Sequence, residues 1–188
     1  TVLTSAFHPS YVPPSATRTI IYQARSRFPV TAEFWENGAQ MYIGFGASLN
    51  GGRGFNVAAI DGSTGKLVGA IQRFDAWATR WGVTDPMVSQ LKRMIDYINS
   101  LPNGTVLLIA IGDEAGLNHF DSCAFISPID NIYVEPALQL LTALGSTQIR
   151  QYCYRDQWAM IAVKGQGVLG EALSTVSDAS TQATVQLP

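Results

Sequence analysis

The run TVLLIAIG, residues 105–112, is the feature that most constrains the fold. It is β-branched, apolar throughout and bounded by the turn Leu101-Pro-Asn-Gly104 on one side and by Asp113-Glu114 on the other. A helix pointing one face to water needs a polar stripe, and a bilayer span needs roughly 18 to 20 apolar residues. This run has neither, so it reads as a strand covered on both faces, in the middle of a sheet. Everything else in the chain must supply its two covers.

Candidates for those covers flank it. Short stretches rich in β-branched and aromatic residues, TIIYQAR, TAEFWE and QMYIGF, lie between Thr19 and Phe45, separated by Pro29 and by the Asn37-Gly38 turn signal, as antiparallel strands should be. FNVAAID, the turn GSTGK and LVGAIQRFD read as a β-hairpin. The period then changes: Thr84 or Asp85 can cap a helix with Pro86 in its first turn, and Met87, Val88, Leu91, Met94, Ile95 and Ile98 share one face. A second helix is expected from Glu135 to Leu144, stopped by Gly145. QIRQYCY and QWAMIAVKG read as closing strands, and residues 117–133 as a loop or flap. The expected fold is α+β, two packed, mainly antiparallel sheets flanked by two or three helices. A Pro-rich extended arm (1–17), one globular domain (18–173) and a flexible C-terminal tail (174–188) make up the expected organisation.

Composition narrows the function. Only 14% of the 188 residues are charged and the formal net charge is −2, with Lys and Arg scattered, so no basic stripe is present to neutralise phosphates. Nucleic acid is not an expected partner, and neither is membrane insertion. A surface resting on Ser, Thr, Asn, Gln and Gly suits secreted proteins and virion components. The start at Thr1 fits removal of a signal peptide, removal of an initiator Met, or trimming, which leaves the compartment open. Cys123 and Cys153 fit one disulfide and fit two buried thiols equally well.

Little catalytic chemistry is visible. His8 and His119 are read as surface residues, without the partners that a metal cluster or a Ser-His-Asp triad requires, and no cofactor motif is present. GASLNGGRG is glycine-rich but lacks the Gly-Lys-Ser/Thr ending of a phosphate loop and leads into a hairpin, not a helix. Asp113, Glu114 and Asp156 lie at or past strand ends, where paired carboxylates could serve a glycosidase or, more simply, cap turns. Asn103-Gly-Thr105 matches a glycosylation sequon and also a plain turn. Arginine is more telling: Arg53 between glycines and Arg155 in YRDQW could each grip a carboxylate or sugar hydroxyls, or simply pair with an internal Asp.

The blocks GGRGFNVAAIDGSTGKLVGAIQRFDAW, LPNGTVLLIAIGDEA, LTALGSTQIR and YRDQWAMIAVKG, in that order, resemble the interleukin-like EMT inducer family, which includes pancreatic-derived factor. The same module is similar to the stem domain of protein O-mannose N-acetylglucosaminyltransferase and to accessory domains of some hyaluronan-processing cell-surface proteins. The resemblance covers about residues 50–170 and implies two antiparallel sheets with surrounding helices and no enzymatic activity. Through the stem domain it implies a site for a β-linked N-acetylglucosamine glycan, with Arg53, Asp113 and Arg155 as polar contacts and Asp156 in the same block. Trp158 is expected in the core. This chain departs from the family pattern by longer stretches at ATRWGVT after Trp77 and at about 119–134, beside that site.

The resulting expectation is a non-catalytic, lectin-like module on an extracellular or virion surface. Alternatives are a virion assembly component (phage tail, fibre or capsid surface) whose arms clasp neighbouring subunits or a second copy, and a secreted cytokine-like ligand.

Overall fold

The computed structural model describes residues 18–27, 31–44, 52–79, 89–175 and 177–188. The expected arm over residues 1–17 lies outside them. Among the described residues, nine strands form two antiparallel sheets. The four-stranded sheet has the order β3-β2-β1-β9, built from β1 (Arg18–Arg27), β2 (Thr31–Glu36), β3 (Ala39–Gly44) and β9 (Ala179–Leu187). The five-stranded sheet has the order β5-β4-β6-β7-β8, built from β4 (Gly54–Ile60), β5 (Gln72–Phe74), β6 (Val106–Gly112), β7 (Gln157–Val163) and β8 (Gly167–Ser174).

β6 is the run with which the sequence analysis begins, and it is central. All seven residues are buried, and alternate side chains serve two different cores. Val106, Leu108 and Ala110 pack against Ile20, Tyr22, Ala24 and Phe34 of the four-stranded sheet. Leu107, Ile109 and Ile111 share the other core with the helices α1 (Gln90–Ser100) and α2 (Val134–Ala143). β4 and β7 divide their side chains in the same way, so the molecule is a three-layer stack of sheet, sheet and helices. Ser26 ties the two sheets together, its one hydroxyl proton shared between the Ile111 carbonyl at 2.5 Å and Gln157 Oε1 at 3.0 Å.

Four details differ from the sequence expectation. The helix α1 begins at Gln90, and its cap is Ser89, whose Oγ accepts from the Lys92 amide; Thr84, Asp85 and Pro86 lie outside the described residues. Leu91, Met94 and Ile98 form its buried face as anticipated. QIRQYCY is not a strand: Ile149–Gln151 make one 3-10 turn that buries Ile149 and Tyr152 at a spacing of three. The expected C-terminal tail is instead β9, which pairs with β1 from Arg18↔Leu187 to Ser26↔Ala179 and buries Ala179, Thr181 and Ala183 at a spacing of two, with Leu187 buried at its end. Ala and Thr fit there because Gly170 approaches so closely that a Cβ on it would collide with Thr181 Oγ1. Finally, β8 follows β7 directly across a turn at Gly165, a strand the sequence analysis does not anticipate.

Two side chains finish the helical layer. Lys164 donates to the carbonyls of Ile98, Asn99 and Leu101, satisfying the last turn of α1 with a cation at its negative end. Glu171 on β8 accepts from Trp158 Nε1, Ser146 Oγ, Thr147 Oγ1 and the amides of Thr147 and Gln148. Burial alone would raise its pKa, but these donors outweigh burial and hold it below the ordinary glutamate value. Glu171→Ala strands the indole N–H of the fully buried Trp158, so urea titration should show stability lower by about 2–4 kcal/mol, and Glu171→Gln should recover part of the loss.

Candidate functional site

Antiparallel order brings four chain segments to one end of the five-stranded sheet: the start of β4, the end of β5, the end of β6 and the start of β7. Arg53, Asp75, Asp113 and Arg155 occupy these positions, one from each segment. The glycine-rich approach to β4 is required by close backbone packing. A Cβ on Gly112 would collide with the Gly52 carbonyl, and one on Gly54, at φ +92°, would collide with the Phe74 carbonyl.

Arg53 makes a two-pronged ion pair with Asp75, Nε to Oδ1 at 2.8 Å and Nη2 to Oδ2 at 2.9 Å, with side-chain exposures of 15% and 7%. Its fork is therefore already filled by a protein carboxylate. Arg155 is different: its side chain is 58% exposed, its Nε stands 3.4 Å from Asp113 Oδ1, and its guanidinium carbon lies 5.5 Å from the centre of the Tyr154 ring. Asp113 is buried, and that Oδ1 accepts no hydrogen bond, the ion pair being too long to count as one. Burial raises the Asp113 pKa; Arg155 and then Arg53 pull it back, and Asp75 adds to the rise.

Both Asp113 and Arg155 have left-handed backbones, φ +57° and +63°, a conformation uncommon outside glycine. The Glu114 amide donates to the Gly112 carbonyl at 2.7 Å, closing a three-residue turn around Asp113. Asp156 closes the turn that holds Arg155: its amide donates to the Cys153 carbonyl at 3.0 Å, and its Oδ2 accepts from the Cys153 amide at 2.8 Å. Asp156 thus serves the backbone, and the trio brought together is Arg53, Asp113 and Arg155. Burial raises its pKa against that amide bond.

Glu114 links the two turns. Its Oε1 accepts from the Gly116 amide and its Oε2 from the Arg155 amide, each at 2.9 Å. With 1% exposure, its pKa is pushed up to about 7, burial outweighing the donated amides. Both oxygens of a would-be acid catalyst are committed to main chain.

Around Arg155 the structure adds residues the sequence analysis does not single out. The Tyr154 ring centre is 5.0 Å from that of Phe120 and 5.5 Å from that of Trp77. The two cysteines are bonded to each other, Cys123 to Cys153, which staples the long stretch at 119–134 to the Arg155 turn. The Tyr154 amide donates to the Ser122 carbonyl at 3.0 Å beside this staple. Asp75 is also unanticipated, although the register Phe55↔Phe74 puts it next to Arg53. His119 is half-buried in the stapled loop, and His8 lies outside the described residues. Trp158 is fully buried in the core, as expected. Among the described residues no group of three His, Cys, Asp or Glu could hold a metal ion, and no helix is long and apolar enough to cross a membrane. A second hollow, about 420 Å³, lies at the opposite end of the sheet among Asp61, Ser63, Asn103, Thr105 and Gln166.

The raised Glu114 gives a pH signature. The carboxyl holds its proton up to about 7 in the folded chain, and only to about its ordinary 4.5 in the unfolded chain. Between those values the folded state binds more protons, so stability falls as pH rises and levels off above 7. The fall should be on the order of 3 kcal/mol, with Asp113 and Asp156 adding the same sign at the acid end. Urea midpoints measured from pH 4.5 to 8 should show it, and Glu114→Gln should flatten it.

Comparison with known proteins identifies the family of the chain. The family described as Interleukin-like EMT inducer matches residues 53–166, from Arg53 through Arg155. Rat Protein FAM3C is 28% identical over 120 residues, 64% of this chain and 42% of that protein. Human Protein FAM3D is 25% identical over 115 residues, 61% of this chain and 40% of its own length. Mouse Cell migration-inducing and hyaluronan-binding protein is 29% identical over 115 residues, 61% of this chain but 7% of that much longer protein. The chain thus spans less than half the length of each of these relatives. With more than half of its residues inside the family match, and with the two-sheet architecture that the resemblance implies, the chain belongs to the interleukin-like EMT inducer family.

Proposed function

We propose that this domain is a secreted, non-catalytic recognition module that docks on cell-surface partners through the Arg155 end of its five-stranded sheet, and that a glycan is what it contacts there. The family match supports a ligand-like role in place of an enzymatic one. The Cys123–Cys153 bond and the sparsely charged surface both suit an oxidising, extracellular setting. The matched relatives are animal proteins, so virion assembly draws no support from them.

The observation that carries the glycan reading is the contrast between the two arginines. Arg53 is consumed by Asp75, whereas Arg155 is exposed beside a buried carboxylate oxygen with no hydrogen-bond donor. The accessible fork offers paired donors to vicinal hydroxyls, the buried Asp113 carboxylate behind it orients the guanidinium, and the adjoining rings offer an apolar face to a sugar. Arg53 then acts by holding Asp75 and by lowering the charge cost at Asp113. A relative named for hyaluronan binding supports the same choice of ligand class. Glu114 spends both oxygens and Asp156 one on backbone amides, which fits recognition better than acid–base chemistry.

Arg155→Ala should abolish binding on a glycan array and leave the melting temperature within about 2 °C of the parent chain. Retained glycan binding would overturn the site. Silence across the array for both chains, with parent-chain binding to animal cells that Arg155→Ala loses, would replace the glycan by a protein receptor at the same surface.

A further inference from the structure

The aromatic cluster beside Arg155 is larger than a single sugar contact requires, and its outermost member is the most exposed ring among the large hydrophobic side chains described. Phe120 is 63% exposed, an unfavourable placement for a phenyl ring held in a fixed position. It is fixed, not loose: its ring sits against Tyr154, and its loop is tied down by the Cys123–Cys153 bond and by bonds from the Tyr154 amide to Ser122 and from the Asn118 amide group to the carbonyls of Cys123 and Tyr152. Arg155 lies over the Tyr154 ring, so Tyr154 is bracketed by the guanidinium and by Phe120. Next to this pair lies an open hollow of about 300 Å³ lined by Asp121, Ser122, Tyr154 and the two cysteines, which is at the small end of the roughly 300–1,000 Å³ of small-molecule sites.

From this we infer that the exposed face of Phe120 and the hollow beside Tyr154 form a second sugar subsite next to the Arg155 site, so that the ligand is an oligosaccharide at least two rings long. The inference rests on the glycan reading proposed above and adds the length requirement. One ring meets Arg155. The next lies with its apolar face on Phe120 and its hydroxyls toward Asp121 and Ser122. Stacking and a carboxylate beside a hydroxyl are the usual means of holding a neutral pyranose. The disulfide keeps the subsite in place before the ligand arrives, which reduces the ordering cost on binding.

Calorimetric titration with N-acetylglucosamine, its β-linked disaccharide and its β-linked tetrasaccharide tests this. The parent chain should bind the disaccharide about tenfold more tightly than the single sugar. Phe120→Ser should remove that gain, leave the single-sugar affinity within about twofold, and leave the melting curve unchanged, while Phe120→Tyr should restore the gain. Arg155-dependent binding with no dependence on length, or with a length gain that survives Phe120→Ser, would overturn the second subsite and leave the glycan reading standing. Absence of binding to these sugars together with silence across the glycan array would overturn both, and would leave the exposed ring as a contact for a protein.

Discussion

The molecule is organised by the complete burial of β6. A strand with no face for water must be covered twice, and each cover must itself present an apolar face. The four-stranded sheet meets that demand with alternating Ile20, Tyr22 and Ala24, and the helices meet it with Leu91, Met94, Ile98, Leu138 and Leu141. Because hydrophobic burial is the largest favourable contribution to folding, the register of this strand fixes the positions of its neighbours. The ends of β4, β5, β6 and β7 must then lie together, and the polar residues just past those ends form a site without any further instruction.

The site resolves its charges unequally. A buried acid needs a partner; Asp75 has a close, two-pronged one, and Asp113 has only a distant one. Uncommon backbone conformations at Asp113 and Arg155 hold that arrangement against local preference, and the Glu114 and Asp156 carboxylates maintain them through amides. Incompletely satisfied polar groups, left-handed residues and a perturbed carboxyl all fall within a few residues of one another. Concentrated exceptions of this kind mark recognition surfaces more often than structural cores.

Much of this was legible in the sequence, for reasons that differ by element. β6 and the buried face of α1 are readable because their apolar residues are large and follow one period. Arg53, Asp113 and Arg155 are readable because they stand beside turns in recognisable blocks. β9 is not, because three of its four buried positions are Ala179, Thr181 and Ala183, small side chains that fit a narrow interface and give no hydrophobic alternation. QIRQYCY misleads in the opposite way: its apolar residues suit a strand, but Ile149 and Tyr152 are three apart and both turn inward. Asp75 was hidden because the long Leu67–Asp75 segment contributes only three residues to β5, and only its register with β4 reveals which arginine the acid faces. The aromatic cluster depended on the disulfide, whose formation the spacing of two cysteines left open.

The bond between Cys123 and Cys153 spans a sequence separation of 30, and all of α2 lies inside the loop it closes. That helix is therefore part of a covalent ring hung from the sheet end, and closing a ring of this size removes about 3.5 kcal/mol of chain entropy from the unfolded state. One backbone cut anywhere between the two cysteines would convert the ring into an open chain but release nothing. The helix, the stapled loop and the Arg155 turn would remain one covalent body, so a protein of this kind can be nicked there without coming apart, until a reductant reaches the sulfurs.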